Sequence, residues 1–550
     1  MPSENFVPIV AERIRANAQQ FHDKAALVFP AEAGPARVLT YAEVYAEIEA
    51  LAGGLAGAGL RRGDRTIVMI PVGPELIVTV LALLRIGAVP VVVDPGMGLR
   101  RMMHCYRMVG AVGFVGVPLA HIVRLLRPVT FRRVRIAVTC GRRWFWGGHT
   151  TRALAAGRLP APDARATADD LIMISFTTGS TGPAKGVEIT YGALVATVTE
   201  IQDLYGHTAD DVCLATSLPF VFLHLLVGAT TVMAPIDFGK VAVADPTVLA
   251  ALIEDYQVTA MFGSPTLIDR LVRHLKSNAV GLPALRCLVT GGAPVPAETV
   301  KRLLTAVPHG RAIVTYGTTE ATPITAIDCV ELDTTQRMTE TGHGVCVGRA
   351  VASVRLRVVC IDGATVTDVP AGAAGEIIVS GPTVSSRYAA PAEANAAMKI
   401  RDGDRLWHRT GDIGRLDEQG RLWFYGRAAD TVRTADGPLH TARCEAVLDA
   451  HPAVRRVALV DAGPPGRPEP VVCVELMPDV PPDAQNRILG ELAVLAAAVD
   501  VTRSLRRFVL HSGFPVDIRH NAKIDHPALA RWAAGQRRRL RGLPDLGVRG

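Results

Sequence analysis

Residues 174–186 read Ile174-Ser-Phe-Thr-Thr-Gly-Ser-Thr-Gly-Pro-Ala-Lys-Gly186, a segment dense in glycine and hydroxyl side chains and closed by one lysine. This is the make-up of a phosphate cradle. Glycines such as Gly179 and Gly182 let backbone N–H groups approach oxygen, the hydroxyls of Thr177, Thr178, Ser180 and Thr181 donate, and Lys185 neutralises charge. The order departs from the usual P-loop, which needs Ser or Thr directly after the lysine, where this chain has Gly186.

Such a loop must be held by regular elements, and the chain has room for them. Its 550 residues bury at least one large core, and 49% hydrophobic, 20% charged and 5% aromatic residues, with 51 Gly and 37 Pro, describe a folded chain rich in turns. Apolar runs at 66–70, 89–93, 111–115, 134–138, 213–215, 260–262, 287–289 and 312–314 read as buried strands. Between them 41–60, 246–256, 266–275 and 297–305 carry helical periodicity. The alternation predicts a large α/β body with mainly parallel sheets. After Ala350 the runs shorten (354–359, 375–379, 420–425), predicting an antiparallel, barrel-like lobe. A further unit, with strands at 457–460 and 470–476 and a helix within 485–499, predicts a small α+β C-terminal domain.

The longest apolar stretch, 76–93, is broken by Arg85, Gly87 and Pro90, so it predicts a buried helix and strand and no transmembrane segment. Nothing at the start marks the chain for secretion, and the expected compartment is cytoplasmic. Nine cysteines without a Cys-x-x-Cys pair predict reduced core residues. The net charge of +7 is modest; basic clusters at Arg132, Arg133, Arg135, Arg142 and Arg143 and in the tail at 537–541 lack stacking aromatics or a recognition motif, and no nucleic-acid partner is expected.

The segment Thr177-Thr-Gly-Ser-Thr-Gly-Pro-Ala-Lys-Gly186 resembles the signature of the adenylate-forming superfamily of acyl-CoA synthetases, luciferases and peptide-synthetase adenylation domains, with Pro183 and Ala184 exchanged relative to the usual order. Further motifs follow in family order. The resemblance implies ATP and Mg²⁺ as cofactors: Tyr316-Gly317-Thr318-Thr319-Glu320 would stack adenine on Tyr316 and hold Mg²⁺ through Glu320, with Thr181 as a second metal contact. Gly291-Gly292-Ala293-Pro294 would line the adenine, and Asp412 of Trp407-His-Arg-Thr-Gly-Asp412 and Arg427 would hold the ribose. Lys523 of Asn521-Ala-Lys-Ile524 would reach the carboxylate and α-phosphate. By the same resemblance, residues 1–425 form the N-terminal adenylation domain, 426–430 the hinge and 431–550 a C-terminal lid domain.

The thioester-forming pattern is not kept. Ala429 occupies the hinge position, and Pro438-Leu-His440 stands near the expected aromatic-arginine loop that helps build a pantetheine tunnel. Phe176–Val187, Met261-Phe-Gly-Ser-Pro265, Gly344-Val-Cys-Val-Gly348, Trp407-His-Arg409 and Arg519-His-Asn-Ala-Lys-Ile524 together resemble the β-lactone synthetases of bacterial olefin and β-lactone biosynthesis. That branch adenylates a (2-alkyl-)3-hydroxy fatty acid and lets its own hydroxyl displace AMP. The resemblance is compatible with a complex with other olefin- or β-lactone-pathway enzymes. The alternative is a long-chain fatty acyl-CoA or acyl-AMP ligase. Phe220, Phe222, Leu225, Met233, Phe238, Met261 and Phe262 are the expected acyl pocket, and His224 and His343 the candidates for taking the hydroxyl proton.

Overall fold

A computed structural model describes all residues except 1–5, 8–9, 32–33, 94, 164, 178–184, 364, 391, 465, 517–522 and 537–550. Two sheets build the large N-terminal domain. The first runs Arg387–Tyr388, Lys185–Thr190, Leu171–Thr177, Val89–Val92, Arg65–Met69, Gly113–Gly116, Ile136–Thr139 and His149–Thr150. From Leu171–Thr177 onward the strands are parallel, and the first two add on antiparallel.

The second sheet has a parallel half of Arg311–Thr318, Cys287–Gly291, Ala260–Gly263, Val212–Ala215, Thr230–Met233 and Ala25–Phe29. The antiparallel strands expected after Ala350 are present as Arg355–Asp362, Gly375–Ser380, Arg405–Leu416 and Leu422–Arg427. They continue the second sheet by hydrogen bonding through Val345–Ala350 and Ala321–Asp328.

Strand periodicity explains where the core sits. Val68 faces the layer between the sheets while its neighbour Ile67 faces the outer layer, and in the second sheet Cys213 and Leu214 divide in the same way. The inter-sheet layer is filled by helices Tyr41–Gly57, Pro74–Arg85 and Leu218–Val227. Helix Tyr41–Gly57 starts at a capping box in which the Thr40 hydroxyl accepts from the Glu43 amide at 3.2 Å and the Glu43 carboxylate accepts from the Thr40 amide at 2.8 Å. The expected extension to residue 60 is lost because the chain turns at Gly59, in the left-handed region at φ 106°. Helix Pro74–Arg85 is apolar on all sides because it is enclosed on all sides, and among the described residues no helix is long and apolar enough to cross a membrane.

The small C-terminal domain pairs Val454–Asp461 antiparallel with Pro470–Leu476, which takes Phe508–Leu510 in parallel; helices Gln485–Ala498 and His526–Gly535 pack on it. All nine cysteines are unpaired, and only Cys360 is exposed.

Candidate active site

Two hairpins and one short strand bring the candidate residues together. Strands Arg311–Thr318 and Ala321–Asp328 pair with a register shift at Tyr316, and the turn between them consists of Thr319 and Glu320. Thr177 and Lys185 are register partners at the end of their own hairpin, so the hydroxyl-rich loop is closed at its base by Lys185. Of that loop Thr178, Gly179, Ser180, Thr181 and Gly182 lie outside the described residues.

The segment 385–388 joins the hairpins. Tyr388 pairs with Val187 in the first sheet, while the Ser385 amide donates to the Glu320 carbonyl at 2.7 Å. The Tyr388 hydroxyl donates to Glu320 Oε1 at 2.7 Å. Lys185 Nζ stands 5.5 Å and Lys399 Nζ 5.4 Å from the centre of the Tyr388 ring. Asn395 holds the segment in place, accepting from the Tyr388 amide at 2.7 Å and donating to its carbonyl at 3.1 Å.

Tyr388, Lys399 and His408 belong to this cluster and were missed as site residues. Lys399 is buried, donates to the Ser385 carbonyl, and is the register partner of His408. Burial pushes its amine down to about 8, against the pull of Glu320. Burial also lowers the His408 imidazole to about 3, with Lys399 adding to the effect, so the ring is neutral at neutral pH. For Glu320 burial works the other way, but the Tyr388 hydroxyl and a backbone amide, which donate to it, hold the carboxyl below its ordinary range. The available signal was the alternation that puts Lys399 and His408 on one side of a two-strand ladder.

The second cluster surrounds Asp412. The Tyr316 hydroxyl donates to Asp412 Oδ2 at 2.5 Å, and Arg427, the ladder partner of Asp412, brings Nε to 3.1 Å from Oδ1. That approach is off the hydrogen-bond direction, so Oδ1 is buried with an unused acceptor. Burial raises the Asp412 carboxyl, opposed by Arg427, by the Tyr316 hydroxyl and by the positive charge of Lys523, which places Lys523 within electrostatic reach of this site. Gly291 ends its strand against Thr315, where a Cβ would lie 2.4 Å from the Thr315 carbonyl oxygen; only glycine lets the loop through Gly292, Ala293 and Pro294 pass this close to Tyr316.

The expected acyl pocket is assembled in part. The Phe220 and Phe262 rings stack 4.3 Å apart at 13°, and Phe222 and Phe238 pack against the same inter-sheet core, which also contains Met233 and Leu225. Met261 does not join them. As the strand neighbour of Phe262 it points to the opposite face and packs with Leu214 and Leu288. His224 is fully buried, its ring 6.2 Å from Phe220 and 5.8 Å from His207, with Nδ1 unpartnered among the described residues. Burial lowers it to about 3, His207 adding and Asp211 opposing. His343 Nδ1 lies 3.1 Å from the Met338 carbonyl and its ring 6.1 Å from Trp423, in neither cluster.

A nucleotide fits what is present. Asp412 Oδ1 is buried and, beyond its ion pair with Arg427, has no hydrogen-bond partner among the described residues, leaving an acceptor that a ligand hydroxyl can fill. Lys185 and Lys399 supply positive charge for phosphate oxygens, and Glu320 offers one carboxylate oxygen ligand to a magnesium ion that phosphate would otherwise hold. Fold and clusters together fit a nucleotide-binding α/β enzyme. The AMP-binding enzyme model matches residues 14–389, and the chain belongs to that family of adenylate-forming enzymes, which use ATP.

The chain is 40% identical over 513 residues, 91% of either protein, to the olefin beta-lactone synthetase of Xanthomonas campestris pv. campestris. To the olefin beta-lactone synthetase of Stenotrophomonas maltophilia it is 38% identical over 549 residues, 96% of this chain and 98% of the relative. Among solved structures, the amide bond synthetase McbA from Marinactinospora thermotolerans shares the fold at a TM-score of 0.77 over 95% of this chain and 99% of its own, at 23% identity. O-succinylbenzoate coenzyme A synthetase from Bacillus subtilis, solved with ATP and a magnesium ion, does so at 0.74 over 94% and 98%, at 20% identity.

Proposed function

We propose that the protein is an ATP-dependent β-lactone synthetase acting on (2-alkyl-)3-hydroxy fatty acids. The observation that carries this reading is the near full-length relatedness to two olefin beta-lactone synthetases. The clusters described above supply the chemistry. Tyr316 and the loop Gly292-Ala293-Pro294 take the adenine, and Asp412 with Arg427 takes the ribose hydroxyls, filling the unused acceptor at Oδ1. Thr177–Gly182 and Lys185 hold the β- and γ-phosphates. Glu320, with Thr181, holds Mg²⁺, which when bound neutralises phosphate charge.

In the first step a substrate carboxylate oxygen attacks the α-phosphorus, an O–P bond forms and pyrophosphate leaves. Lys523 orients the carboxylate and neutralises charge on the α-phosphate. In the second step the substrate's own hydroxyl oxygen attacks the acyl carbon, the acyl–phosphate bond breaks with its electron pair going to AMP, and the hydroxyl proton is released. An internal nucleophile needs no CoA tunnel, in keeping with Pro438-Leu-His440 at the corresponding loop. Phe220, Phe222 and Phe262 enclose the acyl chain. His224, held neutral by burial beside Phe220 and with Nδ1 unpartnered among the described residues, is the candidate that takes the hydroxyl proton.

In this reading residues 1–425 are the adenylation domain, 426–430 the hinge and 431–550 the lid; the enzyme is cytoplasmic and works beside other enzymes of olefin or β-lactone formation. Mass spectrometry after incubation with Mg·ATP and a racemic long-chain 2-alkyl-3-hydroxy acid, with and without CoA, tests it. The expected product is the acid less one water, formed without CoA. A product that appears only with CoA, as the thioester, overturns the reading in favour of an acyl-CoA ligase.

A further inference from the structure

Residues 95–162 contain twelve arginines and no Asp, Glu or Lys. With the whole chain at +7, everything outside this stretch sums to −5, so the positive charge of the molecule is concentrated in one place. The same stretch holds most of the large apolar side chains that the fold leaves in water: Leu119 is 68% exposed, Leu126 72%, Val129 65%, Trp144 52% and Phe145 80%. Isolated exposed apolar residues need no explanation, but six within 27 residues of chain, counting Leu125, among arginines, do.

These side chains are held in position. Helix Pro118–Leu126 buries Ala120 and His121 and packs Val123 against the core, while Leu119, Leu125 and Leu126 are exposed and Ile122 is half-buried. The loop after Ile136–Thr139 is pinned by Trp146, whose indole N–H donates to Thr139 Oγ1 at 3.0 Å and whose ring stacks on His121 at 5.1 Å and 8°. Trp144 and Phe145 contact that anchor at 5.4 and 5.2 Å and are carried to the surface by it, next to the helix that His121 belongs to. Val129 lines a cavity of about 160 Å³ with Arg107, Arg132 and Arg133.

We propose that this face, helix Pro118–Leu126 with Val129, Trp144, Phe145 and the arginines around them, docks the protein on an anionic phospholipid bilayer. Exposed leucines, a Trp–Phe pair and arginines, from a stretch of chain that itself carries no carboxylate, match the acyl–headgroup boundary of such a membrane. The cavity lined by Arg107, Arg132 and Arg133 presents guanidinium groups to a headgroup phosphate beside an apolar Val129. Nucleic acid would use the arginines but leaves Leu119, Leu126 and Val129 without a role.

The placement gives docking a use. Strands Leu171–Thr177, Val89–Val92, Arg65–Met69, Gly113–Gly116 and Ile136–Thr139 are all parallel, so the connections after Gly116 and Thr139 leave the first sheet by the same edge as the loop after Thr177. Three or four strand spacings, roughly 15–20 Å, separate them. A docked enzyme therefore holds the entrance of its site close to the layer in which long-chain acids partition. The inference does not depend on which acyl group the site takes.

Co-sedimentation of the full chain with vesicles of phosphatidylcholine alone and of phosphatidylcholine with phosphatidylglycerol tests the proposal. The expected result is binding to the anionic vesicles only, weakened as salt rises from about 0.1 to 1 M and the Debye length falls from ~10 to ~3 Å. Trp144→Ser with Phe145→Ser is expected to weaken binding by on the order of tenfold or more, and Arg132→Glu with Arg142→Glu to abolish it, with pyrophosphate release from a water-soluble acid unchanged. Removal of residues 537–550, the other basic cluster, is expected to leave binding in place. Brominated lipid should quench wild-type fluorescence more than that of Trp144→Phe. No binding to anionic vesicles overturns the proposal. So does binding that survives the Trp144/Phe145 change or follows the tail, and so does a wild-type dimer that the same change dissociates, which would make the face a contact between copies.

Discussion

Lys399 sits where no motif points, yet its amine approaches the same tyrosine ring as Lys185, and that tyrosine donates to Glu320. A buried cation held this close to a carboxylate carries charge that a bound polyphosphate can use. Lys399→Gln is expected to lower the rate of pyrophosphate release by about tenfold, with Lys399→Arg recovering part of it. A variant with unchanged rate would make Lys399 a purely structural partner of Ser385. Lys523, on the C-terminal domain, lies within electrostatic reach of Asp412, and the proposed first step gives it a different job. Lys523→Ala is expected to reduce pyrophosphate release by on the order of 10²–10³-fold, and Lys185→Ala by less, because the backbone amides of the glycine-rich loop still contact the phosphates. Near-normal release in Lys523→Ala would remove that lysine from the first step.

At the scale of elements, the turn Ala428–Asp430 is tied to the last helix. His526, at the start of helix His526–Gly535, stands 3.8 Å from an Asp430 oxygen and 2.8 Å from Glu445 Oε1. Burial disfavours its charge, but Glu445 and Asp430 outweigh burial and raise the imidazole to about 9. A histidine whose folded value exceeds its unfolded value of ~6.5 stabilises fully below that value, and the stabilisation is lost as pH rises to about 9, at most about 3 kcal/mol. Urea unfolding followed through Trp532, on the same helix, is expected to show this loss between pH 6.5 and 9, and the His526→Gln variant to lack it. Equal slopes in the two proteins would show that the helix is held without this charge. Since Lys523 precedes this helix by three residues, the same contact sets where that lysine can reach.

At the scale of the molecule, parallel strands were legible because each is buried on both faces and reads as an unbroken apolar run, as at 287–289 and 260–262. The motif residues Tyr316, Glu320, Asp412 and Arg427 were legible because their types and order are distinctive, and the structure brings Tyr316, Asp412 and Arg427 into contact. Met261 was misread because a run of neighbours on a strand cannot all face one cavity. Tyr388, Lys399 and His408 were illegible as a group because a two-residue strand leaves no periodic signal, and the alternation of the Lys399–His408 hairpin does not tell what it packs against.

That short strand at Arg387–Tyr388 has a thermodynamic consequence. It pairs with the first sheet while its neighbour Ser385 bonds to the Glu320 turn of the second, so the pocket exists only when both sheets have formed and met. Nucleotide binding should then act as a clamp on the whole N-terminal domain: ATP at about 100 times its Kd should add about 2.7 kcal/mol to the unfolding of both sheets, seen as one raised calorimetric transition. If ATP instead splits the transition in two, one sheet keeps the nucleotide without the other. Under a single transition, saturation with nucleotide protects equally the strands that touch it and the far edge that does not, and the enzyme's lifetime in the cell becomes a function of its fuel supply.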